Sequence, residues 1–212
     1  MGDRSFVSSA TRDRLRISAQ PLAVAVGRLG FSPNALTVLG FLISVVAAAL
    51  AGLSLWLAAG IVGLLGAAFD MLDGGLARAT GRTSKLGGFL DSTFDRWGEA
   101  VVYAGIIAGA LLIREPLTGM LAAGAMSSAF MVSYTRAKAE ALGFRGEVGI
   151  APRPERVAIL TAGLVLSGLT GGPAVGPWLQ ISLGVLLLTT TITTIQRILY
   201  VREQAAEAEV DR

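Results

Sequence analysis

Hydrophobic positions in this chain come in unbroken blocks of roughly twenty residues, the length of helix a bilayer requires, and short polar breaks separate the blocks. The blocks predict helices over residues 33–53, 55–80, 87–113 and 117–142. After a polar stretch at 143–154 come a fifth over 156–169 and a sixth over 178–201. The fifth is short for a span, so its start is expected to reach back into the polar stretch. Upstream, Arg12, Arg14, Arg16 and Arg28 are mixed with Leu15, Ile17, Leu22, Val24 and Val26. That mixture predicts an amphipathic helix lying in the membrane interface without crossing it. Phe31-Ser32-Pro33-Asn34 reads as a break and a restart, with Ser32 as N-cap and Pro33 at the first helical position.

The expected fold class is therefore an all-α integral membrane protein: six transmembrane helices preceded by an N-terminal interfacial amphipathic helix. Its parts would be an interfacial segment 1–30, a membrane domain 31–202 and a polar tail 203–212. Composition supports this, because 53% of the residues are hydrophobic against 16% charged. A water-soluble domain of this size could not bury so much apolar surface. The formal net charge of +3 is too modest to suggest a nucleic-acid partner, but its distribution is informative. Arg78, Arg82 and Lys85, then Arg136, Lys138, Arg145, Arg153 and Arg156, and finally Arg197 and Arg202 fall on the same side of a six-span chain as the N-terminal arginines. The opposite turns carry only Arg114. Both termini are expected in the cytoplasm, in a multi-pass protein of the inner (plasma) membrane. The first residues are too polar and broken for a secretory signal peptide.

Against this apolar background stand Asp70, Asp73, Asp91 and Asp95. Ionised carboxylates in hydrophobic sequence are costly and need compensation. On a helix Asp70 and Asp73 are i,i+3 neighbours, while Asp70, Gly74 and Arg78 follow at i,i+4, so all share one face. Gly87, Asp91 and Asp95 form a second such stripe. If the two helices pack as antiparallel neighbours, the stripes face each other and offer four hard oxygen ligands to one or two divalent cations, Mg²⁺ or Mn²⁺. The chain has no His and no Cys, which excludes zinc sites of the usual kind and disulfides. Paired intramembrane Asp residues also occur in ion pathways and proton relays, the alternative reading of the same residues.

Written as D-x-x-D-G-x-x-A-R-x(8)-G-x(3)-D-x(3)-D, the stretch from Asp70 to Asp95 resembles the signature of the CDP-alcohol phosphotransferase family, membrane enzymes of phospholipid synthesis, at every fixed position. The resemblance implies a donor carrying a cytidine diphosphate, here CDP-diacylglycerol. Two cations held by Asp70, Asp73, Asp91 and Asp95 would neutralise its pyrophosphate and stabilise the leaving phosphate. Asp95 would be the general base that takes the proton of the acceptor hydroxyl. Gly74 and Gly87 leave room for the pyrophosphate against the helix backbone. Arg78 suits a nucleotide phosphate, although it would also serve as a positive-inside anchor. The family's Pro-Asn-x-x-Thr element reads Pro33-Asn34-Ala35-Leu36-Thr37 here and would lie beside the donor, as would Ser84; a helix cap and a turn account for the same residues. The remaining glycines, Gly60, Gly63, Gly66, Gly75, Gly105, Gly109, Gly119 and Gly124, suit close helix packing.

The stretch Ser133-Tyr134-Thr135-Arg136-Ala137-Lys138-Ala139-Glu140-Ala141, with Gly143-Phe144-Arg145-Gly146 and Pro152-Arg153-Pro154-Glu155-Arg156, resembles the matching region of actinobacterial phosphatidylinositol phosphate synthases, and Gln196-Arg197 is similar to their last span. Pro152 departs from the acidic residue often found there. Arg136, Arg153, Arg156 and Arg197 would hold the phosphate of inositol 1-phosphate through bidentate contacts, while Lys138 and Arg145 read as positive-inside charge. Transfer of a phosphatidyl group to inositol 1-phosphate with release of CMP is the expected activity. The alternative is phosphatidylglycerophosphate synthesis from glycerol 3-phosphate. A divalent cation transporter is the distant one, and it would need acidic residues continuing into the outer halves of the helices. Relatives in the family are dimers, so a homodimer is expected in the bilayer.

Overall fold

The computed structural model describes residues 31–79, 84–171 and 175–210, with backbone alone for 71–75, 77–79 and 210. The expected interfacial helix over residues 12–29 lies outside the described residues. Those described form six helices: α1 Pro33–Gly52, α2 Trp56–Ala79, α3 Lys85–Leu112, α4 Pro116–Ala141, α5 Arg153–Gly171 and α6 Pro177–Val210. The hydrophobic blocks predicted all six to within a few residues, apart from the two ends treated below.

Local chemistry sets the boundaries. Ser32 caps α1 by accepting from the Ala35 amide at 3.2 Å, with Pro33 in the first turn, and Ser84 caps α3 by accepting from the Gly87 amide at 2.9 Å. Three helices end alike. After α1 the Leu55 amide donates back to Leu50 (2.9 Å) and the Ser54 amide to Ala51; after α3 Glu115 donates to Ala110 (2.8 Å) and Arg114 to Leu111; after α4 Phe144 donates to Ala139 (2.9 Å) and Gly143 to Glu140. Each closure needs one residue with positive φ, supplied by Ser54, Arg114 and Gly143. Glycine takes that conformation freely, whereas at Ser54 and Arg114 it costs about 1–2 kcal/mol each. Ser54 recovers part of this by donating its hydroxyl to the Gly109 carbonyl at 3.1 Å, which fastens the α1–α2 turn to α3.

The principal packed pairs close into a ring: α1 against α2 and α3, α2 against α5, α5 against α6, α6 against α4, and α4 against α3. Among the described residues the two Asp-bearing helices, α2 and α3, are thus not principal packing partners, and each packs instead against α1. Small residues let α1 fit against both. A Cβ on Gly105 or Gly109 would strike the Ala48 or Ala51 carbonyl of α1, and one on Gly40 of α1 would stand 2.8 Å from Asp70 Oδ1. On the other side of α2, a Cβ on Gly60 would come 2.8 Å from the backbone nitrogen of Val165 in α5. Of the eight glycines assigned to close packing, Gly60, Gly63, Gly105 and Gly109 are this tightly enclosed, Gly66, Gly119 and Gly124 make ordinary contacts, and Gly75 has its surroundings outside the described residues.

One half of the bundle is an apolar plug built from Ala51, Trp56, Ala59, Tyr103, Ile106, Ala122, Ala125, Leu160, Leu164, Leu179, Leu183 and Leu186. Outward, Leu42, Val46, Leu65, Leu111, Leu188 and Ile198 are half or more exposed around the circumference, a surface suited to lipid and not to water. By length and composition α1, α4 and α6 can each cross a membrane. In α2, α3 and α5 charged residues interrupt the apolar run: Asp70, Asp73 and Arg78 in the first, Asp91, Asp95, Arg96 and Glu99 in the second, Arg153, Glu155 and Arg156 in the third.

Two ends extend past the hydrophobic blocks, the first into the polar stretch as expected and the second further than expected. α5 begins at Arg153, because an X-Pro pair starts a helix easily and the Arg156 amide already bonds back to Pro152. α6 continues past Val201 to Val210, since Glu203-Gln204-Ala205-Ala206-Glu207-Ala208 are strong helix formers that hydropathy alone reads as tail.

Candidate active site

The half of the bundle opposite the plug carries nearly all of the charge, and its centre is one guanidinium. Arg153, the first residue of α5, reaches with a single nitrogen, Nη2, to Asp70 Oδ2 of α2 at 2.6 Å and to Asp95 Oδ1 of α3 at 3.0 Å. It bridges the two helices that each pack against α1. All three side chains are partly buried. Asp91, one turn before Asp95, is partly buried as well. Arg96 Nη1 donates to the Ser92 carbonyl at 2.7 Å and lies 3.9 Å from Asp95, so it is a secondary partner.

Asp73, Gly74 and Arg78 sit on the last two turns of α2, but their side chains lie outside the described residues. The backbone register keeps Asp73 within a turn of Asp70. Among the described residues no three acidic side chains converge closely enough to hold one ion as they stand. The donor set nevertheless suits a hard divalent cation. Asp70, Asp91 and Asp95 offer carboxylate oxygens only, two of them already share one positive nitrogen, and Gly40 keeps a side chain off Asp70.

The Pro-Asn element and Ser84 come together although they are far apart in sequence. Asn34 Oδ1 lies 3.3 Å, and Ser84 Oγ 3.0 Å, from the place a Cβ on Gly87 would take. Asn34 and Ala35 are exposed, Leu36 and Thr37 are buried, and the Thr37 hydroxyl donates to Pro33 at 3.2 Å. The start of α1 thus lies against the start of α3 and, through Gly40, against Asp70. Ser84 is a helix cap in this arrangement, and it stands in the group with Asn34 and Gly87.

The four arginines expected around an acceptor phosphate are dispersed over distinct partners. Arg153 is on the carboxylates. Arg156 is 3% exposed and forms a bidentate pair with Glu99, at 2.8 Å from Nε and 2.7 Å from Nη2, while its Nη1 donates to the Ala151 carbonyl at 3.3 Å. Arg197 donates to the Val148 carbonyl at 2.8 Å and to the Val132 carbonyl, tying α6 to the α4–α5 connection and to α4. Arg136 is more exposed and pairs with Glu140 and Glu147, both at 2.8 Å.

Sequence reasoning missed Glu99, although Gly87, Asp91 and Asp95 continue to it at the same i,i+4 spacing. The stripe does not end at the second Asp but carries on, one turn deeper, to a carboxylate whose partner is an arginine. It also missed a clamp on the connection 142–152. Along one face of α6, Thr193 accepts from the Ala151 amide at 3.1 Å, Arg197 holds Val148, and Gln204 takes both backbone groups of Arg145, at 2.8 and 3.0 Å. Gly149, with φ 135°, has no room for a side chain beside Thr193. Gln204 lies beyond the expected end of the sixth span, where nothing in the hydropathy marks it. Gln204→Ala should speed hydrogen exchange at the Arg145 amide roughly tenfold or more, since an exposed amide that loses its acceptor exchanges by local opening; an unchanged rate would show that the clamp holds without Gln204.

Residues 31–196 match the family model described as CDP-alcohol phosphatidyltransferase. The chain is 37% identical over 191 residues to an archaetidylinositol phosphate synthase of Pyrococcus horikoshii, covering 90% of this chain and 94% of that one. It is 36% identical over 196 residues to a phosphatidylinositol phosphate synthase of Mycobacteroides abscessus, covering 91% and 87%. Its fold matches the crystal structure of Mycobacterium tuberculosis phosphatidylinositol phosphate synthase with CDP-DAG bound, with a TM-score of 0.78, 31% identity and coverage of 86% and 92%. The same enzyme in complex with manganese and citrate gives a TM-score of 0.79 at 30% identity, covering 86% and 88%. With the Asp motif, the apolar helices and these matches in agreement, the chain belongs to the CDP-alcohol phosphatidyltransferase family, membrane enzymes of phospholipid synthesis.

Proposed function

We propose that this enzyme transfers the phosphatidyl group of CDP-diacylglycerol to inositol 1-phosphate, giving phosphatidylinositol phosphate and CMP. The observation that carries the reading is the meeting of Asp70, Asp95 and Arg153, from three helices, at the charged end of an apolar bundle. The relatives support the acceptor: the archaeal and actinobacterial names differ in their lipid part and share the inositol phosphate. The CDP-DAG-bound relative supports the donor.

In this reading Asp70, Asp73, Asp91 and Asp95 hold two divalent ions, Mg²⁺ or Mn²⁺; manganese in a related crystal structure agrees with that choice. When bound, such ions supply charge neutralisation at the pyrophosphate and at the leaving phosphate. Asn34, Ala35, Leu36, Thr37 and Ser84 line the nucleotide side, Gly74 admits the pyrophosphate and Arg78 contacts a phosphate. Asp95 takes the proton from an acceptor hydroxyl. That oxygen bonds to the phosphorus bearing diacylglycerol, and the bond from this phosphorus to the bridging oxygen of CMP breaks. Arg153 holds the acceptor phosphate, and Arg136, Arg156 and Arg197, held by their own partners, add positive framework charge around it. All six helices span the inner membrane in a homodimer, with both termini and the site facing the cytoplasm, where nucleotides are made.

The test is direct. Purified protein is given CDP-diacylglycerol with Mg²⁺ or Mn²⁺ and, separately, inositol 1-phosphate, free inositol and glycerol 3-phosphate, and the lipid is identified by mass. Phosphatidylinositol phosphate should form with the first alone and disappear in chelator. Phosphatidylglycerophosphate would move the assignment to glycerol 3-phosphate, and turnover in chelator without residual metal would remove the two-metal mechanism.

A further inference from the structure

Arg153 and Arg156 lie three residues apart on one helix and are held in opposite ways. Arg156 uses all three of its nitrogens, two on Glu99 and one on a carbonyl, in a site closed to solvent. Arg153 gives both of its carboxylate contacts from Nη2, and its Nε is buried without any partner. A guanidinium is a planar fork that is best satisfied when two nitrogens meet two oxygens of one group. Arg153 has that arrangement with neither Asp70 nor Asp95. Its contacts are also with the carboxylates a divalent cation would need. An ion between those oxygens would repel the guanidinium and take its acceptors.

We propose that Arg153 is an exchangeable counter-ion. It holds Asp70 and Asp95 together while no divalent cation does, and cation binding releases its fork to the phosphate of the acceptor. The inference rests on the metal and acceptor reading above and adds an order to it: the ion binds first, and its arrival completes the acceptor site. Arg156, locked by Glu99, stays behind as fixed framework. The arrangement also keeps unpaired carboxylates from remaining in an apolar site between turnovers.

The experiment is Mn²⁺ binding to the full-length protein in detergent without any substrate, with free Mn²⁺ measured by electron paramagnetic resonance. Removing a competing charge should tighten the ion's hold, so Arg153→Gln is expected to bind Mn²⁺ roughly tenfold or more tighter than wild type. Arg153→Lys keeps the charge but loses the reach to two carboxylates. It should fall between the two, and it decides the matter alone if the Gln variant does not fold. A residue that merely braced the site would weaken Mn²⁺ binding when removed, so equal or weaker affinity in either variant overturns the proposal. If wild type takes up no Mn²⁺, the metal reading fails and the exchange with it; if wild type binds the ion and the variants bind no tighter, only the exchange fails.

Discussion

Asp95→Asn is expected to lower kcat by about 10²–10⁴-fold, the usual contribution of a positioned general base, while CDP-diacylglycerol still binds. The amide keeps the shape of the side chain and a hydrogen-bond acceptor for Arg153, so the helices need not move. What it loses is the capacity to take a proton and to neutralise a cation. Asp91→Asn separates these two losses. Asp91 makes no ion pair with Arg153 within 4.0 Å, so its replacement should act chiefly through the metal, weakening Mn²⁺ binding and shifting the metal dependence of turnover. Equilibrium donor binding and single-turnover rates for both variants check the assignment. Near-normal turnover in Asp95→Asn would take the base away from this residue.

The second large effect is on stability. Glu99→Gln should cost about 3–5 kcal/mol, because it leaves the Arg156 guanidinium charged and buried with half of its partner gone. Arg156→Met with Glu99→Gln together should recover most of that loss, since the pair's value lies in mutual compensation and not in net stabilisation. Thermal unfolding in one detergent gives the comparison. A double variant as unstable as the single one would mean that Arg156 matters through its bond to the Ala151 carbonyl and not through its charge.

The helices were legible because membrane helices announce themselves by length and apolarity, and α1 to α4 fall where the blocks fall. The carboxylates were legible because four Asp residues in such sequence have no cheaper explanation. Three things were not. The ring order was hidden, because spacing along a chain says which residues share a face and not which helix that face meets. The packing of α1 against both α2 and α3 depends on side chains absent at Gly40, Gly105 and Gly109, which sequence reads only as small. Glu99 escaped because a buried carboxylate beside an arginine looks, in sequence, like one more charge near a membrane surface. The separate tasks of the arginines escaped for the same reason: basic residues at the end of a span are always expected there, whatever they hold.

The apolar plug has a consequence for permeability. Trp56, Tyr103, Ile106, Leu164, Leu179, Leu183 and Leu186 are almost completely excluded from solvent. Beneath the carboxylates the described core is therefore predominantly apolar toward the opposite end, where Arg114 and Glu115 are the only charges among the described residues. A site that collects divalent cations, as proposed above, would otherwise risk becoming a leak down the steep gradients a cell maintains. Here the reaction vessel has a floor. In the proposed reading, cations and water-soluble substrates would enter and leave through the charged face, with the apolar packing closing the other end.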